Sequence, residues 1–316
     1  MLLRLRVCGL CGTDLFKLAV DSAPVGSVLG HEIVGDVVAG EGAKDADGRT
    51  FEVGERVVVP HHVACGNCDA CVRGSETMCD TFRANLLDPG GFSEFVRVEH
   101  RAVTAAARRV PDGIEDAAAV FLEPAACVVR SVERAQLRPD DSCVIFGAGS
   151  MGLLHLLVLR AMNLCERIAV IDPMPERRAL ALELGATSAA SPNGAGDLRA
   201  TGGFHASFDT VGGAKMIDSA LAVTLPGAAI VLFAHAPDGD VGSFDLNAFF
   251  KTERRLVATY SGSLREQQTT YDLIVSGQLD ASPLVTGSLG LDRFDEAVER
   301  VRSHRDLKVL LQVGDS

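Results

Sequence analysis

The sequence lacks the features of a membrane-spanning, nucleic-acid-binding or unfolded chain. It has no run of 18 apolar residues, and the longest candidate, Leu153 to Met162, is interrupted by His155 and Arg160. Long basic runs are absent too, since 30 Lys and Arg stand against 42 Asp and Glu, a net charge of −12. An acidic surface repels phosphate groups, so we expect neither nucleic acid nor a membrane as a partner. The 47% hydrophobic content is that of a folded globular protein.

A secretion signal is also lacking. The first residues alternate Leu3, Leu5 and Val7 with Arg4 and Arg6, which predicts a β-strand instead of an apolar signal segment. We therefore expect a cytoplasmic protein whose nine cysteines are thiols or metal ligands. A strand that starts at the second residue has no preceding segment to pair with, so a segment upstream is expected.

The sequence shows two different secondary-structure patterns along the chain. Its length of 316 residues favours two domains. Up to about residue 120, short β-branched runs separated by turn residues predict an all-β region. From Cys143 to Gly213, strand and helix patterns alternate, which predicts a parallel sheet covered by helices. Further strands are predicted at Ala228 to Phe233 and Leu256 to Ala258, and a last helix and strand at Phe294 to Ser303 and Lys308 to Val313. Gly185 to Gly203 is predicted to be loops around a short strand.

Four of the cysteines have the spacing of a metal site. Cys65, Cys68, Cys71 and Cys79 form C-x2-C-x2-C-x7-C on a glycine-bearing loop. Four thiolates can enclose zinc in a tetrahedron with no open position, as in structural sites. The alternative is that they are free core cysteines.

A glycine-rich turn predicts a dinucleotide site. Gly147, Gly149 and Gly152 follow a predicted strand and open a predicted helix that starts with Ser150 and Met151. The next strand ends in Asp172, whose carboxylate would bind both ribose hydroxyls and repel a 2′-phosphate, so NAD is favoured over NADP. Asp172 could instead be a strand-end turn residue, since Arg177 and Arg178 follow.

A second set of metal donors is dispersed along the chain. Cys11 lies in CGTD, His31 and Glu32 in GHE, and Glu123 in LEPAA. One thiolate, one imidazole and two carboxylates suffice for three protein ligands and an exchangeable position, the composition of a catalytic zinc site.

These motifs, with GGFSEF at Gly90 to Phe95, occur in the order found in zinc-dependent medium-chain alcohol and polyol dehydrogenases, which the whole chain resembles. The resemblance implies an α/β plus β fold, in which a GroES-like β-barrel catalytic domain carries an inserted Rossmann domain with a doubly wound parallel sheet. The expected ranges are 1–123 with 262–316 for the catalytic domain and 124–261 for the NAD-binding domain. The family resemblance also implies two Zn²⁺ per chain and a homodimer or homotetramer.

The resemblance assigns residues to roles. Cys11, His31 and Glu123 resemble ligands of the catalytic zinc, and Glu32 resembles a residue that is a ligand in some members and lies behind the ligands in others. Thr13 matches the hydroxyl that accepts the alcohol proton, and Asp14 is expected to orient a ligand. Each of these two could alternatively serve only to form a turn. Gly147, Gly149, Ser150, Met151, Gly152, Asp172 and Arg177 form the expected cofactor site.

The chain departs from the family at two points. The strand hairpin that normally precedes the CGTD strand is absent. Phe16 stands where many members have the His that ends a proton relay. Phe16, Lys17, His62 and Asn85 are candidate pocket residues, and His61 and His62 could be read as extra ligands of metal sites that already have enough donors.

The sequence thus predicts a zinc-dependent oxidoreductase that transfers hydride between a secondary alcohol and NAD. Glu123 and the absence of Trp favour a polyol, cyclitol or amino alcohol as substrate. One alternative is an L-threonine 3-dehydrogenase-type enzyme, and another is a non-catalytic, zinc-stabilised dinucleotide-binding protein.

Overall fold

The computed structural model describes residues 1–20, 25–40, 42–200 and 202–313. Residue contacts divide it into one unit of residues 1–126 and 262–316 and a second unit of residues 127–261. The sequence predicts 1–123 with 262–316 and 124–261 for the two domains. Both boundaries of the second unit lie in or beside helix or turn segments, the first of them within one helix, Leu122–Ala135.

The first part of the chain alternates strands and short helices. The strands are β1 (Leu2–Gly9), β2 (Glu32–Ala39), β3 (Arg56–Val59), β4 (Leu87–Asp88), β5 (Phe95–Val98) and β6 (Arg108–Arg109). The helices are α1 (Gly12–Ala19), α2 (Asp69–Val72), α3 (His100–Ala106), α4 (Asp116–Ala119) and α5 (Leu122–Ala135). The expectation of an all-β region up to residue 120 was therefore wrong in detail, because polar segments that resembled turns form helices between the strands.

The second unit contains a regular alternation. Its strands are β7 (Ser142–Phe146), β8 (Arg167–Ile171), β9 (Ser188–Ala190), β10 (Phe204–Asp209), β11 (Thr224–Leu232) and β12 (Arg255–Ala258). Its helices are α6 (Ser150–Ala161), α7 (Pro175–Glu183), α8 (Ala195–Ala200), α9 (Ala214–Val223) and α10 (Leu246–Lys251). Helix α8 lies in the segment predicted to be loops.

The chain then returns to the first unit. Helix α11 (Leu264–Val275) begins with a capping box, in which Ser263 and Glu266 bond each other's backbone N–H. Strand β13 (Val285–Gly290), helix α12 (Phe294–Arg302) and strand β14 (Lys308–Gln312) follow.

The described residues of the first unit form an eight-stranded sheet along the path β13-β14-β1-β2-β3-β6, with β5 and β4 branching from β1. Strand β1 pairs with β14, β2 and β5. Both edges of β1 are therefore paired within the described residues. Its buried face, with Leu3 and Leu5, joins a core with Ile33, Val57 and Val96.

The second unit is a parallel sheet in the order β12-β11-β10-β7-β8-β9. This is the doubly wound order of dinucleotide-binding folds, and the strand order reverses between β7 and β10. Ligands of such sheets bind at the carboxyl ends of the strands at this point. The predicted fold class is confirmed. A search of the described residues for a helix long and apolar enough to cross a membrane finds none.

Candidate active site

Helix α1 places Cys11 and Asp14 beside His31. Cys11 is the N-cap residue, and the Asp14 carboxylate accepts the Cys11 backbone N–H at 3.1 Å. Asp14 also accepts the Gly30 backbone N–H at 3.3 Å, and its Oδ1 lies 3.5 Å from Nδ1 of His31. Because Nδ1 faces this buried carboxylate, the ring is oriented with Nε2 directed away and available to a metal.

The charges around His31 favour a bound cation. Burial by itself lowers the pKa of His31, but the interactions with Cys11 and Asp14 outweigh it and raise the pKa well above 6.5. Burial by itself raises the pKa of Asp14, but the contacts with His31 and the two backbone N–H groups bring it below 3.8. A positive charge, whether proton or metal, is therefore stabilised at this point.

Glu32, at the start of β2, carries a buried carboxylate that contacts the ammonium group of Lys308 from β14. Burial lowers the pKa of Lys308, but the charges of Glu32 and Cys11 raise it above 10.5 overall. A Cβ atom at Gly9 would collide with the Glu32 side chain and lie 2.9 Å from Cε of Lys308, so only glycine leaves room for this pair. Oε1 of Glu32 is buried without a hydrogen-bond partner in the described structure. An orphaned carboxylate oxygen fits a position beside a metal ion.

Five donors meet around His31. The ligand atoms of Cys11, His31 and Glu32 lie within 4.8 Å of one another, and so do those of His31, His61 and Glu123. We call these five residues the dispersed donor cluster. All four residues predicted as catalytic-zinc ligands belong to it. His61, which the sequence analysis set aside, belongs to it as well.

His61 is the first of several residues whose rings contact one another at a tilt. Its ring centroid is 4.4 Å from that of His31 and 3.6 Å from that of His62, which lies 5.1 Å from Phe82. Burial, aided by the charge of His31, lowers the pKa of His61 well below 6.5. Burial also lowers the pKa of His62 to about 4. Both rings are therefore neutral at pH 7.

The other predicted site residues differ in their surroundings. Thr13 is half-buried, and its backbone N–H points to Cys11 Sγ at 3.5 Å. Phe16 is 39% exposed. Lys17 adds positive charge near His61 and His62, since it lowers the pKa of both. The amide nitrogen of Asn85 donates to the Leu87 carbonyl, and its amide oxygen accepts the Leu87 backbone N–H, so its role is to form the local turn.

The second predicted metal site, which we call the four-cysteine cluster, has the dimensions of a zinc site. Sγ of Cys65 is 3.9 Å from that of Cys71 and 3.6 Å from that of Cys79, and the Cys68 and Cys71 sulfurs are 3.5 Å apart. Sulfurs at about 2.3 Å from a tetrahedral zinc lie about 3.8 Å apart. All four cysteines are free thiols, as a metal site requires.

The four-cysteine cluster already contains a stabilised thiolate. Backbone N–H of Cys65 and the hydroxyl of Thr81 lower the pKa of Cys79 to about 5. Burial and the neighbouring Cys68 raise the pKa of Cys71 to about 12. Thiols this close resist full ionisation until a cation balances their charge. The donor set therefore fits zinc.

The glycine-rich turn follows β7 with the geometry of a phosphate-binding turn. Gly147 has φ +93°, and a Cβ there would lie 2.8 Å from Oγ1 of Thr210. A Cβ at Gly152 would collide with the carbonyl oxygen of Gly147. At Gly149, the N-cap of α6, a Cβ would meet nothing within 4 Å. The space in front of the helix N-terminus, with Ser150 and Met151 in its first turn, is therefore open to an anion.

Asp172 lies at the end of β8 next to this turn. Its Oδ2 accepts the Ala148 backbone N–H at 2.7 Å, and its Oδ1 accepts that of Met174 at 2.8 Å. Each oxygen keeps a further lone pair, so ribose hydroxyls can still bind. Arg178 donates to the Asp172 backbone carbonyl at 2.8 Å. Arg177 as a cofactor residue stays a prediction.

Sequence reasoning missed several residues that complete these sites. Thr210 donates to the Phe146 carbonyl at 2.7 Å and so packs against the glycine-rich turn. Asp209, at the end of β10, accepts the backbone N–H groups of Val211 and Gly212, and burial raises its pKa. Its position after a strand and before two glycines is the signal that could have revealed it. No local signal reveals Lys308.

Known proteins match this architecture. The family model "Alcohol dehydrogenase GroES-like domain" matches residues 1–110, and "Zinc-binding dehydrogenase" matches residues 150–276. L-threonine 3-dehydrogenase of Rhizobium rhizogenes is 29% identical over 98% of this chain and 90% of its own. The alcohol dehydrogenase TADH from Thermus sp. ATN1 has a TM-score of 0.85 and 28% identity, over 99% of this chain and 92% of its own.

A further solved structure is an alcohol dehydrogenase from Escherichia coli CFT073 in complex with NADH. It has a TM-score of 0.83 at 23% identity, and the match covers 98% of this chain and 91% of its own. This similarity supports the fold. The two family models together match most of the chain. The chain belongs to the zinc-dependent medium-chain dehydrogenases, oxidoreductases that act on alcohols with zinc and a nicotinamide cofactor.

Proposed function

We propose that this protein transfers hydride between NAD and a secondary alcohol that carries further polar groups, such as a polyol, a cyclitol or an amino alcohol. The first unit would hold the metal and the substrate, and the second unit would hold the cofactor. The observation that carries the proposal is the dispersed donor cluster, in which two groups of sulfur, imidazole and carboxylate donors share His31, with the ligand atoms of each group within 4.8 Å of one another.

Cys11, His31 and Glu123 would hold a zinc ion at this cluster, with Glu32 beside it. When bound, zinc acts as a Lewis acid that polarises the alcohol oxygen and favours loss of its proton. Lys308 balances the charge of Glu32, so the cluster keeps a net charge low enough for an alcohol to approach.

The protein's own groups would handle the proton. The Thr13 hydroxyl, two residues after Cys11, would accept the alcohol proton and pass its own proton onward, and a bound nicotinamide would take up the hydride from the carbinol carbon. Asp14 holds His31 in one ring orientation throughout, because its Oδ1 lies 3.5 Å from Nδ1. Phe16 carries no ionisable group, so the proton path beyond Thr13 differs from that of family members with histidine there.

We propose NAD as the cofactor and two zinc ions per chain. The carboxylate of Asp172 would bind the adenosine ribose and repel the phosphate of NADP. The glycine-rich turn, with Gly147, Gly149 and Gly152, would take the pyrophosphate. The four-cysteine cluster supports the second zinc, since its sulfur spacings match a tetrahedral site.

A second candidate is an amino-acid alcohol of the L-threonine type. Lys17 contributes positive charge near His61 and His62, and such charge favours a substrate carboxylate. L-threonine 3-dehydrogenases of several rhizobia, at 28% and 29% identity, support the same reading.

Substrate-dependent NADH absorbance tests both candidates. The purified protein would be assayed with NAD and with NADP against polyols, cyclitols, neutral amino alcohols and L-threonine. Turnover of neutral polyols above L-threonine supports the first candidate, and the reverse supports the second. No turnover of any secondary alcohol by zinc-replete protein would contradict both and favour a non-catalytic dinucleotide-binding role.

We also propose that the protein forms a homodimer or a homotetramer through the second unit. Strand β12 is an edge strand of its sheet in the described residues. Large apolar side chains on and near it are exposed, Phe250 at 79% and Tyr260 at 47%. A second copy pairing at this edge would cover them. Sedimentation velocity tests this, and a monomer at micromolar concentration would contradict it.

A further inference from the structure

His61 lies next to the metal donors of the first unit and is not among the ligands that the family resemblance assigns. One of its ring nitrogens forms a group within 4.8 Å with the donor atoms of His31 and Glu123. Its ring centroid is 4.4 Å from that of His31. Its donor nitrogen therefore lies as near to those of His31 and Glu123 as a shared metal ion requires.

The surroundings of His61 leave one of its nitrogens unsatisfied. Nδ1 of His61 is buried and has no hydrogen-bond partner within the described part of the chain. Buried polar atoms are rarely left in this state unless a ligand or ion completes them. Imidazole nitrogen is a preferred donor for zinc and related metals, so a metal ion would account for the position of the ring.

The neighbouring histidine provides an internal contrast. His62 stacks on His61 with a centroid distance of 3.6 Å, yet its Nδ1 faces the carbonyl oxygen of Ala84 at 3.3 Å. The structure places His62 in none of the metal-donor groups found among the described residues. The Nδ1 atom of His62 therefore has a hydrogen-bond partner, whereas that of His61 has none within the described residues.

Glu32 is the competing donor. Lys308 contacts its Oε2, so an ion pair already compensates part of its charge. In the described residues, Nδ1 of His61 has no such partner, and its ring lies against that of His31.

We propose that His61 is a ligand of the open metal centre, together with Cys11, His31 and Glu123, while Lys308 holds Glu32 back as a neighbour of the metal. An alcohol oxygen would then bind as a fifth donor. The centre then has two imidazoles where the family resemblance gives one. This inference rests on the proposed function only in that both use the same metal site.

Cobalt substitution of the full-length protein tests the assignment. The open site would be emptied by mild chelation with zinc kept in the four-cysteine cluster, and then titrated with Co²⁺. The Cys11 thiolate-to-cobalt band reports occupancy, and Cys11→Ser identifies that band. His61→Ala should weaken Co²⁺ binding at least about tenfold and change the visible ligand-field bands, as expected for loss of a donor. His62→Ala, the matched control, should leave both unchanged.

X-ray absorption at the cobalt edge of the unmutated protein gives a second measurement that does not depend on a variant folding. Scattering from two imidazoles supports the proposal, and scattering from one overturns it. Equal affinity and equal ligand-field bands in His61→Ala and the unmutated protein would also overturn it. Absence of any Cys11-dependent band would instead contradict the proposed metal site itself, so the two failures are distinguishable.

Discussion

The two metal-donor clusters of the first unit are built in opposite ways. The four-cysteine cluster takes all its donors from residues 65–79, a loop with one short helix and two 3-10 turns, Glu76–Met78 and Asp80–Arg83. The dispersed donor cluster collects residues from Cys11 to Glu123, and Lys308 from the last strand contacts one of them. A local cluster needs only its own loop, whereas the dispersed cluster requires the whole sheet to be in register.

This contrast extends to charge. The four cysteines depend on a cation to become fully ionised, since the pKa values of Cys71 and Cys79 are driven to about 12 and about 5. The dispersed donor cluster is instead balanced in charge by the fold itself, since Glu32 contacts Lys308 and His31 lies beside Asp14. Loss of its metal should therefore destabilise the first cluster, whereas the second should keep its folded arrangement without metal and lose only its activity.

The largest expected effect is a difference between the two clusters in how readily a chelator removes their metal. Progressive dialysis against a chelator should abolish activity while the thermal melt is still unchanged, because an open site releases metal more readily than a closed thiolate site. Further chelation should then lower the melting temperature. Elemental analysis beside activity and melting curves checks the order. Simultaneous loss of both would remove the distinction between the clusters.

Lys308→Met should cause the largest change in stability. It leaves the buried Glu32 carboxylate without its cation, and breaking a buried ion pair in this way costs about 3–5 kcal/mol. Denaturant unfolding measures the loss. The double variant Lys308→Met with Glu32→Gln is the control, and it should recover much of the stability because no unpaired charge remains. Equal unfolding of single and double variants would show that the pair is not coupled.

Glu123→Ala should lower kcat about a hundredfold or more, with reduced zinc at the open site and little change in melting temperature. If Glu123 only stabilises the N-terminus of α5, the effect would be about 1 kcal/mol of stability with normal turnover. Glu176→Ala, at an exposed carboxylate in the first turn of α7, is the matched control for that helix effect. Full zinc content and normal turnover in Glu123→Ala would contradict the ligand assignment.

The smallest expected effect lies in the second unit, whose cofactor turn is, like the four-cysteine cluster, locally encoded. Asp172→Ala should relax the preference for NAD over NADP about tenfold, because the ribose acceptor and the repelling charge are both lost. Asp172→Asn removes the charge but keeps a single acceptor oxygen, so it can serve only one of the Ala148 and Met174 N–H groups. The ratio of kcat/KM for the two cofactors is the measurement. An unchanged ratio in both variants would contradict the role given to Asp172.

Some of these sites can be predicted from the sequence alone, and others cannot. The spacing of Cys65, Cys68, Cys71 and Cys79 is sufficient by itself, because ligands so close along the chain must be close in space. The glycine-rich turn needed its flanking strand and helix, both predicted within a few residues of β7 and α6. Cys11, His31 and Glu123 had to be collected through the family resemblance, since no spacing rule connects them.

What could not be predicted depends on tertiary contacts. His61 looked redundant because its neighbours had enough donors, and only the fold shows its unsatisfied nitrogen. Lys308 sits in an apolar strand where its charge has no visible partner. Helix α11 could have been found, since Ser263 and Glu266 have the spacing of a capping box. Helix α1 begins at a Cys-Gly-Thr sequence that resembles a turn, so its start carries no strong helix signal.

The contact between Glu32 and Lys308 has a consequence for synthesis of the chain on the ribosome. The second unit, residues 127–261, is continuous and can fold while the remainder is still being made. The first unit cannot neutralise the Glu32 carboxylate until β14 has emerged and paired with β1. A nascent chain that stops before residue 308 therefore carries a buried negative charge at the metal donors, and completion of the catalytic half is deferred to the last strand.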